Sequence, residues 1–298
     1  MSKTRLGFIY GFTSYTLWGL FPLYWPLLKP ATPLEMVSHR AVWSLVFCVI
    51  ALAFGHQLKS TFALMFSPGI FWKFTLAAGF ISVNWLTYIW AVNNEQIVEA
   101  SLGYYMQPIL LVLMGILAFK EEMRKIQWVA FIVATVGVII LTIDYGRLPW
   151  IALALAFSWG SYGLVKKQLN LGALEGLAIE TLLSLPFYGG YLIFIGLNGT
   201  GQLGSSLGLS LLLIGGGIVT AIPLLLFNGS TTRLPFTIIG LLQYITPTLQ
   251  FSIGVWVRHE EMPTARWIGF LIIWAALVTL AIDLIKSSRT VNNGVTQG

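Results

Sequence analysis

Apolar residues in this chain gather into segments of about 20, the length of α-helix needed to cross about 30 Å of hydrocarbon, and short polar loops separate them. Ten such segments are predicted, at 6–27, 35–54, 71–91, 100–119, 127–143, 148–165, 174–196, 207–227, 236–257 and 266–285. The longest loops, 56–70 and 198–206, are too short to fold alone, so no soluble domain is expected. The polar stretch 287–298 is expected to be a disordered tail. The pattern therefore predicts an all-α membrane protein with ten transmembrane helices.

The pattern also repeats. One offset of 139 positions places Tyr105 on Tyr244, Pro108 on Pro247, Gly115 on Gly254, and Glu121-Glu122-Met123 on Glu260-Glu261-Met262. The same register carries Trp128 onto Trp267, Phe131 onto Phe270, and Ile143-Asp144 onto Ile282-Asp283. Shared apolar composition does not produce matched Pro, Trp and Glu-Glu positions at one unbroken spacing, so an internal duplication is expected. The predicted units are residues 1–144 and 145–286, each of five helices. Because five is odd, the second unit enters the membrane from the opposite face. The repeats are then inverted, a geometry typical of transporters.

Composition agrees with a membrane chain: 57% of residues are hydrophobic, 9% are charged, and the mean hydropathy is +0.81. Among 298 residues the net charge is +6. In a membrane protein that excess records basic loops on one face, not a nucleic-acid surface. With both termini cytoplasmic, only Lys29, Arg40, Arg147, Arg258 and Arg266 of the 17 basic residues fall on the far side, which fixes that orientation as the expectation. Cys48 is the one cysteine and lies in an apolar run, so no disulfide is expected. The first apolar segment lacks a small-residue cleavage site and is read as a retained helix.

Enzymatic chemistry finds little support. There is no Gly-rich loop ending in Lys-Ser/Thr for nucleotide, and His259-Glu260-Glu261 lacks a second histidine one turn on. The three histidines, His39, His56 and His259, sit on separate segments, so neither a metal nor a cofactor is expected.

Polar side chains within predicted spans are the candidate site, because hydrocarbon penalises them unless they are paired or wetted. In the ninth segment Gln243, Thr246 and Gln250 share one helical face beside Pro247. In the fourth, Ser101, Tyr104 and Pro108 share a face, with Gln107 adjacent. Each proline should free a backbone carbonyl and bend its helix. These groups either line a substrate path or bond between helices. Asn84 and Tyr88 share a face of the third segment, while Trp18 and Trp159 occupy comparable places in the two halves. The aromatics serve as walls of the path or as interfacial anchors.

Charge candidates are Glu35, His39 and Arg40 near the start of the second segment, and Glu180 in the seventh. Glu35 and His39 lie one turn apart and can pair, with Arg40 rotated away by about 100°. Either these residues relay protons and hold an anion, or they snorkel to the headgroups. Glu180 has no basic residue within a turn, so it is a titrating site or a partner for Arg40, His39 or a polar group on another helix. Gly7, Gly11 and Gly19 form a strip that allows close helix approach. The Glu121-Glu122 and Glu260-Glu261 hairpins are read as capping and gate-closing ion pairs or as plain solvated loops.

Three stretches together carry a family likeness: Trp18-Gly19-Leu20-Phe21-Pro22, Glu35 with His39-Arg40-Ala41-Val42-Trp43-Ser44, and Asn84-Trp85 through Glu99-Ala100-Ser101-Leu102-Gly103-Tyr104-Tyr105. The chain resembles the RarD-type members of the EamA family, within the drug/metabolite transporter superfamily, over nearly its whole length. The resemblance implies a ten-helix bacterial inner-membrane transporter with one substrate path between the halves, export as its direction, and a homodimer through helices five and ten as one possible assembly. It does not imply a substrate. The expected function is a secondary transporter of small metabolites or drugs working by alternating access with proton coupling. An uncoupled facilitator and a non-transporting scaffold or lipid-binding subunit are the alternatives.

Overall fold

The computed structural model describes residues 3–67, 69–119, 125–169, 172–234, 238–239 and 242–295. Side chains at 108, 111–119, 167 and 283–295 lie outside that description. The described chain is helical, with helices α1 (Lys3–Gly19), α2 (Phe21–Tyr24), α3 (Pro33–Phe54), α4 (Leu58–Ala63), α5 (Ile70–Asn93), α6 (Ile97–Phe119), α7 (Lys125–Tyr145), α8 (Trp150–Leu169), α9 (Ala173–Leu197), α10 (Leu207–Thr231), α11 (Ile245–Ser252) and α12 (Thr264–Val295). Six of these, α3, α5, α7, α9, α10 and the 264–282 part of α12, are long and apolar enough to cross a membrane.

Of the other expected spans, α1 has 17 residues, α8 carries Lys166 and Lys167 in its last turn, and α6 has side chains outside the description. The ninth is broken. The chain turns at Gln243–Tyr244, α11 starts at Ile245, and a π-helical turn follows at Ile253–Val257. Pro247 has no N–H to offer the Gln243 carbonyl four residues back, which is the local reason for the break. The matching Pro108 sits in α6, which runs unbroken from Ile97 to Phe119. α12 continues to Val295, so residues 287–295, expected to be a disordered tail, extend the last helix.

Local signals start two of the long helices. Thr32 caps α3 by accepting the Glu35 N–H at 3.2 Å, with Pro33 as first helical residue. Ser206 does the same for α10 through the Leu209 N–H at 3.2 Å. The glycine strip of α1 works as close-approach surface. A Cβ on Gly11 would stand 2.6 Å from Ser230 Oγ on α10, and one on Gly19 would stand 2.7 Å from Leu249 Cδ1 on α11.

The principal packed pairs are α7 on α12, α3 on α9, α6 on α11, α5 on α8 with α1 on α10, α6 on α8 with α1 on α11, and α3 on α10 with α5 on α9. Every one of these pairs joins the first half of the chain to the second. Large apolar side chains such as Ile50, Phe54, Trp72, Ile132, Phe187 and Phe194 remain exposed on the outer faces of these helices, as a lipid-facing surface requires.

Candidate substrate site

The helices converge on a cavity of about 130 Å³. From the first half, α1 supplies Tyr15 and Trp18, α2 supplies Phe21, α3 supplies Arg40, α5 supplies Asn84, Trp85 and Tyr88, and α6 supplies Tyr104 and Gln107. From the second, α8 supplies Trp159, α10 supplies Phe227, and the region of the break and α11 supplies Gln243, Thr246, Pro247 and Gln250. Residues far apart in sequence thus form one aromatic chamber floored with amides.

The amides and hydroxyls are partly engaged. Gln243 Nε2 donates to Gln107 Oε1 at 3.1 Å, linking the turn before α11 to α6. Thr246 Oγ1 donates to the Tyr15 carbonyl at 2.8 Å, and Gln250 Nε2 to the Trp18 carbonyl at 3.3 Å, so this face of α11 both lines the cavity and holds α1. Asn84 Nδ2 donates to the Leu155 carbonyl and to Ser158 Oγ, each at 3.1 Å, tying α5 to α8. Gln107 Nε2 and Arg40 Nε have no hydrogen-bond acceptor among the described residues.

Arg40 does not snorkel. It is 5% exposed, and its guanidinium lies 4.0 Å from the centre of the Trp85 ring and 5.1 Å from that of Trp25. Rotation by about 100° from the Glu35–His39 face turns it inward. Glu35 and His39 do approach each other, at 3.8 Å, but both stay outside the cavity lining, and the Glu35 carboxylate also accepts the Gln202 N–H at 2.6 Å.

One further expectation changes. Ser101 is not among the residues that line the cavity, and its hydroxyl donates to the Val98 carbonyl one turn back at 2.7 Å. Of the partners open to Glu180, the structure shows polar groups on another helix and neither Arg40 nor His39: the carboxylate, on a residue 1% exposed, pairs with Lys166 of α8 at 2.8 Å and accepts from the Tyr162 hydroxyl at 3.1 Å. Trp85, Phe21 and Phe227 line the cavity without having been singled out as site residues. Trp85 had a visible signal, since it follows Asn84 in a motif of the family likeness.

A second, polar cavity of about 450 Å³ lies at the end of the bundle where α6, α8 and α12 begin, and its lining includes Glu99, Arg147, Arg258, His259, Glu260 and Arg266. Here carboxylates cross between halves. Glu260 accepts the first N–H groups of α6, Ile97 at 2.6 Å and Val98 at 2.8 Å. Glu99 binds Arg147 at 2.8 Å and the Ile151 N–H at 3.1 Å, and Asp144 binds Arg266 at 2.9 Å. Burial pushes the Glu260 carboxyl above its usual range, against the two backbone N–H groups and Arg266, which favour its charge. The matching hairpin at Glu121-Glu122 lies outside the described residues.

Comparison with known proteins places this geometry. The sequence pattern of the EamA-like transporter family matches residues 5–143. The chain is 47% identical to the Protein RarD of Streptomyces exfoliatus over 97% of this chain and 92% of that protein. It is 44% identical to the Uncharacterized transporter YojE of Bacillus subtilis (strain 168) over 97% of each chain, and 38% identical to the Protein RarD of Escherichia coli (strain K12) over 96% of this chain and 97% of that one. A solved crystal structure superposes with a TM-score of 0.61 at 18% identity, covering 93% of this chain and 98% of its own, and shares the fold.

Proposed function

We propose that this chain, which belongs to the RarD-type branch of the EamA-like transporter family, is a secondary transporter that moves a small metabolite or drug across the bacterial inner membrane by alternating access. What carries the reading is the central cavity: a membrane protein has placed amides, a guanidinium and aromatic faces from both halves around one space. The packing supports ten spans in two inverted repeats. Exchanging α1 with α8, α3 with α9, α5 with α10, α6 with α11 and α7 with α12 leaves the set of principal packed pairs unchanged.

With both termini cytoplasmic, the polar end bearing Glu35, Glu99, Asp144 and Glu260 faces outward, and its inter-half links act as an outer gate. Coupling to protons is assigned to Glu180 with Lys166 and Tyr162, at the cytoplasmic end of α8 and α9. In that assignment Glu180→Gln makes flux independent of an imposed pH gradient.

The first test compares small molecules accumulating outside cells that overproduce the chain with those overproducing Gln243→Ala at equal membrane levels. A solute class that rises only with the unsubstituted chain, and that crosses reconstituted liposomes in a saturable way, supports the reading. Indistinguishable media, with no saturable flux in either direction, favour a scaffold.

A further inference from the structure

We infer that the central cavity accepts a small monoanion with a flat apolar body, a monocarboxylate held by the Arg40 fork between aromatic walls; the inference rests on the central-site reading above. Arg40 is the one charged residue among the described residues that line the cavity, and no carboxylate joins it there. Neighbouring acids are already engaged: Glu35 with His39 and the Gln202 N–H, Glu180 with Lys166 and Tyr162. The guanidinium instead lies over the Trp85 and Trp25 rings, and its Nε has no acceptor among the described residues.

A buried guanidinium without a counter-charge is costly, and a planar carboxylate is the group that matches its paired N–H donors. Gln107, 3% exposed, lines the same cavity with a second unanswered donor, Nε2. The charge count sets the class. One cation neutralises a monoanion, leaves a dianion with one buried negative charge, and repels an amine. A zwitterion adds an ammonium group that would find only neutral acceptors in the described lining, ring faces and Gln250 Oε1, and no carboxylate to balance its charge. Size limits the apolar body to a single ring: at about 130 Å³ the cavity is no larger than the ~150 Å³ space that holds one benzene. Trp18, Tyr88, Tyr104 and Trp159 supply flat faces for such a body.

The test is calorimetric titration of the full-length chain in lipid nanodiscs with five probes that share one phenyl ring on a short chain and differ in charge: 3-phenylpropionate, its neutral amide, 3-phenylpropylamine, the dianion phenylsuccinate, and zwitterionic phenylalanine. The expected result is 3-phenylpropionate binding at least about tenfold more tightly than each of the others, a margin typical of a charged hydrogen bond. Arg40→Gln erases that ranking, and Arg40→Lys retains only part of it because the charge stays and the fork goes. The wild-type ranking alone decides the matter should a variant fail to fold. Equal or tighter binding of the amide, amine, dianion or phenylalanine overturns the monoanion inference while leaving a central site in place. A ranking that survives Arg40→Gln does the same. No binding of any probe, together with no difference between the unsubstituted chain and Gln243→Ala in solute release, overturns the inference and the central-site reading together.

Discussion

At the end of the bundle where α6 and α8 begin, Glu35, Glu99, Asp144 and Glu260 each find a partner in the opposite half, whereas in the central cavity Arg40 faces rings and amides and no carboxylate. Both regions bury charge, yet they dispose of it differently. Carboxylates closed on backbone N–H groups and arginines hold two halves together, and that stabilises one arrangement of them. A guanidinium set over rings without a counter-charge is held only by the weaker cation–π attraction in the empty protein, and its charge is available to a ligand.

Substitutions separate the two uses of charge. The largest effect is expected from Arg40→Gln, which should weaken substrate binding by roughly 10- to 100-fold while leaving the melting temperature unchanged or higher, since an unpaired buried charge is removed. Binding titration and thermal unfolding on the same preparation check this, and a lower melting temperature with unaltered binding would invert the comparison. Glu260→Ala should do the opposite. It deprives two N–H groups at the start of α6 of their acceptor, costing about 2 kcal/mol, with faster hydrogen exchange at Ile97 and Val98 and intact probe binding.

Asn84 lies between these extremes, lining the cavity while its amide is spent on α8. Asn84→Ala should cost about 1 kcal/mol in stability and change affinity less than Arg40→Gln, as measured by unfolding and titration side by side. The smallest effect concerns pH. Because burial raises the Glu260 carboxyl above its unfolded value, the folded state binds that proton more tightly. Its contribution to stability is therefore full below the ordinary glutamate range near 4.3 and is lost as pH rises through the raised value. The melting temperature should fall across that window in the unsubstituted chain, and Glu260→Gln should flatten that part of the profile.

Much of the polar face was legible in the sequence. Gln243, Thr246 and Gln250 share a face because helical spacing requires it, and Pro247 announced a break through its missing N–H. Arg40 could be assigned an azimuth relative to Glu35 and His39, although not the direction in which that azimuth pointed. Ser101 shows the limit. Its spacing put it with Tyr104, and a hydroxyl that reaches its own helix's carbonyl needs no cavity. Glu180 shows another, since Lys166 lies 14 positions away on a different helix and no local window connects them.

What the sequence determined by itself is local or repetitive: long apolar segments, residues matched at one offset, and the charge bias of the loops. Each follows from the length of helix a bilayer demands or from chemistry within one turn. Only the tertiary structure decided which faces turned inward, that Arg40 met rings instead of headgroups, and that the carboxylates at one end closed on the opposite half. Those outcomes depend on how each helix is rotated about its axis and packed against helices distant in sequence. A period of 3.6 residues fixes which side chains travel together, and packing alone fixes where they go.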